Sequence, residues 1–252
     1  MEAPSAENGE LSFSRVQAYQ RCPWLYHLVY DLGWRAAPTA GSALGHSLHR
    51  ALARFASPEN KDRTLDRLLG FYDEEWVNEG FESPQATIEA YESGRAMLER
   101  FHASEQMRAG ETVGTEVDFN VPFGDGFRFR GSVDRLDRRP DGVYEVVEYK
   151  TQGAAWNEER TRSDLQMTLY ALGIRTSLNG EPVALRYHFL STGESRSVMR
   201  TEEQLRDAEA VLASVGARIR ARDFAPDNRY CARCEFGRRC EFYHPMTEKE
   251  PS

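Results

Sequence analysis

Two acids and a lysine meet where the chain reads as a β-hairpin. Arg139-Pro140-Asp141-Gly142 is a strong turn signal between two strand-like stretches, Gly126–Asp137 and Val143–Lys150. Pairing outward from that turn sets Asp134 opposite Glu148. Directly opposed side chains on antiparallel strands lie about 4.5–5.5 Å apart, so two like charges there repel. Strand side chains repeat every second residue, so Glu148 and Lys150 share a face. The patch has two readings. A hard divalent cation such as Mg²⁺ suits it, because that ion takes a couple of carboxylates together with water and a substrate phosphate. Otherwise it is a solvated strand face on which Lys150 neutralises one acid. A single bulge would turn Asp134 to the other face.

Other chemistry-bearing groups lie on expected helices. Gly45-His46-Ser47-Leu48-His49 puts two histidines at i, i+3 beside the apolar stripe Leu44, Leu48, Leu52 and Phe55. Gln166 and Tyr170 are i, i+4 neighbours on another helix, which alone means only a polar helix edge. Of the four cysteines, Cys231, Cys234 and Cys240 crowd together, and Cys22 lies far upstream. In a chain this large, without a secretory leader, such crowding points to metal or cluster ligation rather than to disulfides. Four thiolates suit either a closed tetrahedral Zn²⁺ site or an iron–sulfur cluster.

The frame that must position these groups has 252 residues, enough for one large domain or two small ones. Hydrophobic residues make up 40% and charged residues 29%, an ordinary globular balance. The net charge of −8 argues against a protein that coats nucleic acid by bulk electrostatics, while leaving room for a focused site. Arginine supplies 29 of the 32 basic residues, which makes the placing of Lys150 stand out. No apolar run is long enough to span a bilayer. The acidic, polar start lacks the layout of a signal peptide, so the expected location is cytoplasmic.

Residues 1–10 and 246–252 read as flexible tails around a single domain over 11–245. Ser14–Gln17 resembles a capping box opening a helix toward Cys22. Trp24, Tyr26, Tyr30 and Trp34 read as core aromatics. Helices are expected over Gly41–Ala56, Asp62–Glu79 and Pro84–Arg108, making a helical insertion at about 57–110. Strands follow over Glu111–Val121 and through the hairpin, then a helix over Asp164–Ser177 capped by Ser163. Strands near Val183–Ser191 and Ser195–Arg200 precede a last helix, Glu202–Arg220. The expected fold class is α/β, a mixed sheet flanked by helices.

Taken in order, Gly45-x-x-x-His49, Gly131-Ser-Val-Asp134-Arg-Leu-Asp137, Glu148-Tyr149-Lys150-Thr151 and Gln166-x-x-x-Tyr170 resemble the PD-(D/E)XK nuclease superfamily, specifically its RecB-type exonuclease domain. The resemblance spans about Leu11 to Pro245 and implies a restriction-endonuclease-like core. Glu148 stands where many RecB-type relatives have Asp, a change the superfamily pattern admits. The resemblance implies that His49, Asp134, Glu148 and the Tyr149 carbonyl ligate Mg²⁺ or Mn²⁺. It implies that Lys150 orients or deprotonates the attacking water, and that Gln166 and Tyr170 contact substrate and support Lys150. His46 matches no family role and is read as structural.

The one-plus-three cysteine arrangement resembles the iron–sulfur staple of AddB-type and CRISPR-associated RecB-like nucleases. By that likeness Cys22, Cys231, Cys234 and Cys240 bind a [4Fe–4S] cluster, with structural Zn²⁺ as the alternative. Such a cross-link would contribute on the order of 3–5 kcal/mol by loop-entropy reasoning. The implied function is a metal-dependent DNase working from ends, preferably on single-stranded DNA, in repair or recombination. Arg50, Arg54, Arg128, Arg130, Arg160 and Arg162 are its candidate phosphate contacts. The alternatives are a non-catalytic DNA-end binding or scaffold subunit, and the nuclease subunit of a helicase–nuclease complex. The chain carries no Walker-type loop, so any helicase is a separate protein.

Overall fold

The structure is a computed structural model that describes residues 9–244, apart from 107, 125 and 153–155. The expected carboxy-terminal tail lies outside the described residues, as does the amino-terminal one up to residue 8, whereas Glu10 opens a short strand. The elements begin with β1 (Glu10–Leu11), α1 (Phe13–Arg21) and α2 (Pro23–Tyr26), which runs into a π-helical turn at His27–Asp31. Three helices follow, α3 (Ala40–Ala56), α4 (Leu65–Glu74) and α5 (Pro84–Glu105). Then come β2 (Glu111–Phe123), β3 (Phe127–Arg138), β4 (Tyr144–Lys150), α6 (Glu158–Ser163) and α7 (Leu165–Ser177). The series closes with β5 (Val183–Phe189), β6 (Glu194–Met199) and α8 (Glu202–Arg220).

The helix starts follow local capping chemistry. Thr39 and Ser42 form a reciprocal capping box at α3. Ser12, not Ser14, caps α1: Ser12 has extended backbone and accepts the Arg15 N–H, whereas Ser14 already lies within the helix. Asp164, not Ser163, caps α7, because Ser163 ends the separate short helix α6, which sequence periodicity does not reveal.

The chain divides into two compact units. One comprises Ala37–Phe119 and Gly131–Leu205 and holds most of the sheet. There β3 and β4 are antiparallel, β4 and β5 parallel, and β5 and β6 antiparallel, with β2 paired to β3. At the hairpin turn Gly142 takes φ +85°, a left-handed conformation that glycine adopts without a Cβ penalty. The Asp141 side chain accepts the Val143 N–H at 3.2 Å and closes the turn. The register is the expected one, running from Arg138–Tyr144 to Arg135–Val147. Val147 and Tyr149 of β4 turn their side chains into a core with Leu48 and Leu52 of α3, Tyr72 of α4 and Phe101 of α5. Burying each such side chain contributes roughly 1.5–3 kcal/mol. The alternation of β4 therefore sends Glu148 and Lys150 the other way.

The other unit draws on the chain before Ala37, on Asn120–Arg130 and on the chain from Arg206 onward. In it β1 pairs in parallel with the start of β3, Leu11 beside Phe129. A small core of Leu25, Leu28 and Phe236 gathers Trp24 and Trp34 around it, the packing role expected for them, together with Tyr230. Among the described residues no helix is long and apolar enough to cross a membrane.

Candidate active site

The helix α3 and the β3–β4 hairpin, both in the sheet unit, bring together residues far apart in the chain. The His49 Nδ1 hydrogen-bonds Asp134 Oδ1 at 3.0 Å, and Asp134 Oδ2 accepts the Tyr149 backbone N–H at 2.8 Å. A carboxylate can only accept, so the bonded imidazole nitrogen carries the proton, and Nε2 of the neutral ring keeps its lone pair. Burial lowers the proton affinity of His49, but the hydrogen bond to Asp134 and the charges of Asp134 and Glu148 outweigh it, and the net shift is upward.

Glu148 is buried, with its Oε1 accepting from Lys150 Nζ at 2.8 Å and from Gln166 Nε2 at 3.2 Å. Burial, followed by the charge of Asp134, pushes its carboxyl up to about 7 against the pull of Lys150. Lys150 also donates to Gln166 Oε1 at 3.2 Å, so the glutamine amide bridges both members of the ion pair. Tyr170, one turn further along α7, hydrogen-bonds Gln166, and burial pushes its hydroxyl up to about 12. The motif glycine Gly131 has a packing cause: the Phe119 ring, which leans on Tyr170, lies 2.6 Å from where a Cβ would stand. Gly45, by contrast, faces open space. It lines a cleft of about 700 Å³ with His46, His49, Arg50, Glu116 and Asp134. His46 is an exposed residue of that lining, with no core role.

Every residue singled out on the hairpin, together with His49, Gln166 and Tyr170, thus belongs to one neighbourhood. Among the described residues, however, no three His, Cys, Asp or Glu side chains form a ready metal-binding group. Both oxygens of Asp134 and Oε1 of Glu148 are engaged in the hydrogen bonds just described. The residue that sequence reasoning missed is Glu116. It sits in β2 with φ 49°, a left-handed kink within a strand. Burial and the Asp134 charge raise its carboxyl. Glu116 lines the cleft, and nothing in the local sequence marks the kink at its position.

The six candidate arginines fare differently. Arg54 pairs with Glu74 at 2.6 Å and with Glu75 at 2.9 Å, and Arg50 pairs with Glu75. Arg162 pairs with Glu158, and Arg130 lies 3.5 Å from Glu10. Arg128 donates to Asn120 at 2.8 Å. Arg160 lies over the Trp156 ring.

In the other unit all four cysteines are free thiols, partly buried. Cys22, Cys234 and Cys240 pack against the same small core. Burial raises the Cys240 thiol, and the neighbouring Cys234, Cys22 and Cys231 raise it further. Cys22 Sγ accepts the Asp227 N–H at 3.3 Å.

A mixed sheet flanked by helices, with two acids and a lysine on one hairpin, defines the nuclease class to which the comparisons also lead. Residues 10–241 match the family model of the PD-(D/E)XK nuclease superfamily, and the chain belongs to that superfamily. The crystal structure of a "Putative exonuclease" from Eubacterium rectale is similar over 100% of this chain and 94% of its own, with a TM-score of 0.60 and 15% identity. At that identity the likeness is one of fold. A protein designated SSO0001 aligns over 94% of this chain and 87% of its own, with a TM-score of 0.45 and 14% identity. No curated protein matches significantly.

Proposed function

We propose that this protein is a metal-dependent deoxyribonuclease, hydrolysing phosphodiester bonds from DNA ends with a preference for single strands. The observation that carries this reading is the meeting of two carboxylates, an imidazole and a lysine beside an open cleft. In it His49, Asp134, Glu148 and the Tyr149 carbonyl hold Mg²⁺ or Mn²⁺. The donor chemistry fits: carboxylate and carbonyl oxygens suit either ion, and imidazole favours Mn²⁺. Glu148 is raised first by burial and second by the charge of Asp134, and that second contribution is the kind a divalent cation offsets. When bound, the ion supplies Lewis acidity and makes water a nucleophile at neutral pH.

The chain's own groups do the rest. Lys150 directs its ammonium at the water or at a phosphate oxygen and stabilises the charge that develops there. Gln166 limits the directions Lys150 can take, and Tyr170 steadies Gln166 and faces substrate. Residues 11–245 act as one nuclease domain, in the cytoplasm, in DNA repair or recombination. A separate helicase or recombination protein supplies any strand opening.

The proposal extends to Cys22, Cys231, Cys234 and Cys240 as ligands of a [4Fe–4S] cluster, with structural Zn²⁺ as the alternative. The shared charge field around Cys240 and the N–H donated to the Cys22 sulfur support it. The test of the main reading is incubation with end-labelled single- and double-stranded DNA, with and without Mg²⁺ or Mn²⁺. Products are expected only with metal and should vanish in excess EDTA. DNA that is bound but left intact under every metal condition overturns hydrolysis and leaves an end-binding subunit.

A further inference from the structure

Lys150 shares an aromatic ring with a second cation. Its ammonium lies 5.3 Å from the centroid of Trp156, and the Arg160 guanidinium carbon lies 4.3 Å from the same centroid. Both distances are within the range in which a ring face attracts a cation. Trp156 is held from behind. Its ring leans on Tyr187 at 5.4 Å and Phe189 at 6.3 Å, and its carbonyl accepts from Arg196 Nη1 at 2.7 Å. The parallel register explains why this support stands on the lysine's side. Tyr187 is paired with Glu148 and Phe189 with Lys150, and paired residues of parallel strands point the same way. Tyr187 and Phe189 are buried, Trp156 is partly exposed and Arg160 is exposed. Asn157 caps α6 by accepting the Arg160 N–H at 2.8 Å, so the helical turn that carries Arg160 starts directly after the tryptophan.

A buried aromatic support, a partly exposed indole and the guanidinium of an exposed arginine thus stand beside the ion pair of the proposed nuclease site. We propose that Trp156 and Arg160 form the subsite for a nucleotide adjoining the scissile phosphate. Arg160 takes that nucleotide's phosphate, and the indole–guanidinium pair is the surface on which its base stacks. Bases of single strands stack on aromatic rings and on arginine planes, whereas a base within a duplex has both faces covered. The subsite therefore selects unpaired nucleotides, and this inference rests on the nuclease reading of the hairpin.

The test measures binding of labelled single-stranded oligonucleotides by fluorescence anisotropy, with Ca²⁺ as the sole divalent ion. One abasic position is stepped along the oligonucleotide. The wild-type chain should lose roughly tenfold in affinity when the abasic position occupies the subsite. Trp156→Ala should bind roughly tenfold more weakly and no longer distinguish that position, and Trp156→Phe should restore the distinction. Arg160→Ala should lower the slope of log affinity against log salt by about 0.7, as for one lost single-strand phosphate contact. A wild-type chain that binds single strands equally at every abasic position, or does not bind them, overturns the subsite. So does a Trp156→Ala variant that loses turnover alone while keeping its affinity and its abasic profile. If position-dependent binding through Trp156 persists but no metal supports cleavage, the subsite stands and the nuclease reading fails. Arg160→Ala and Trp156→Phe, together with circular dichroism melts, separate these outcomes from misfolding.

Discussion

Asp134 is fastened to the main chain of the neighbouring strand: its carboxylate accepts the backbone N–H of Tyr149 at 2.8 Å, between Glu148 and Lys150. The two acids of the hairpin are therefore held in place by different means. Asp134 is oriented by backbone and His49, Glu148 by Lys150 and Gln166.

That difference separates two substitutions of one residue. Asp134→Asn keeps an acceptor for the Tyr149 N–H but removes the charge, whereas Asp134→Ala leaves the N–H without it. Both should lose most nuclease activity, and Lys150→Ala should lose about 100-fold. Only Asp134→Ala should also lose stability, by about 1–3 kcal/mol, for an orphaned backbone donor. Urea titrations alongside cleavage assays check the pair.

On the core face of the hairpin Arg135 is buried, paired with Glu105 at 3.0 Å and Asp137 at 3.1 Å. Arg108 binds Asp137 as well, at 3.0 Å. Burial raises Asp137, whereas at Glu105 the charges of Arg135 and Arg108 outweigh burial and lower it. Removing one member of such a cluster exposes its partners to an uncompensated charge. Arg135→Met should cost about 3–5 kcal/mol, and adding Glu105→Gln and Asp137→Asn should recover part of that loss. Chemical denaturation of the single and triple variants measures the recovery.

His188 on β5 is buried, and burial lowers its imidazole to about 4. Its Nδ1 meets Ser195 Oγ at 2.9 Å. The unfolded chain takes up the proton near pH 6.5 and the folded chain only near pH 4, so protons favour unfolding across that window. The contribution of His188 to stability is complete above pH 6.5 and declines as pH falls toward 4, with a limiting slope of about 1.4 kcal/mol per pH unit. His188→Gln should flatten this part of the stability profile. An unchanged slope in that variant would show that other groups set it.

The cysteine proposal predicts a brown protein when purified without oxygen, with iron rather than zinc on metal analysis. Cys22→Ala should lose the colour as fully as Cys234→Ala, since each thiolate is one of four ligands. It should also lower the melting temperature more than a surface substitution. Stoichiometric zinc in a colourless protein would replace the cluster while keeping the staple. Full metal content and stability in Cys22→Ala would remove Cys22 from the ligand set.

The hairpin was legible in the sequence because its causes are local. Asp141 and Gly142 dictate the turn, the turn dictates the register, and a period of two sends Val147 and Tyr149 to one face and Glu148 and Lys150 to the other. Most helices were legible from apolar spacing, but α6 was not. Some starts were misplaced by one to three residues where a neighbouring polar side chain takes the cap, and the helix expected over Asp62–Glu79 runs only over Leu65–Glu74. The meeting of His49 with Asp134 across 85 residues was readable only through likeness to a family. The kink at Glu116, the pairing of Arg50 and Arg54 with Glu75, and the gathering of Lys150 and Arg160 at the Trp156 ring left no mark in the sequence. Backbone torsions and side-chain period are set by neighbours in the chain. Which exposed side chains then meet is settled by how separate elements pack, a sum of many weak contacts that no single stretch of sequence contains.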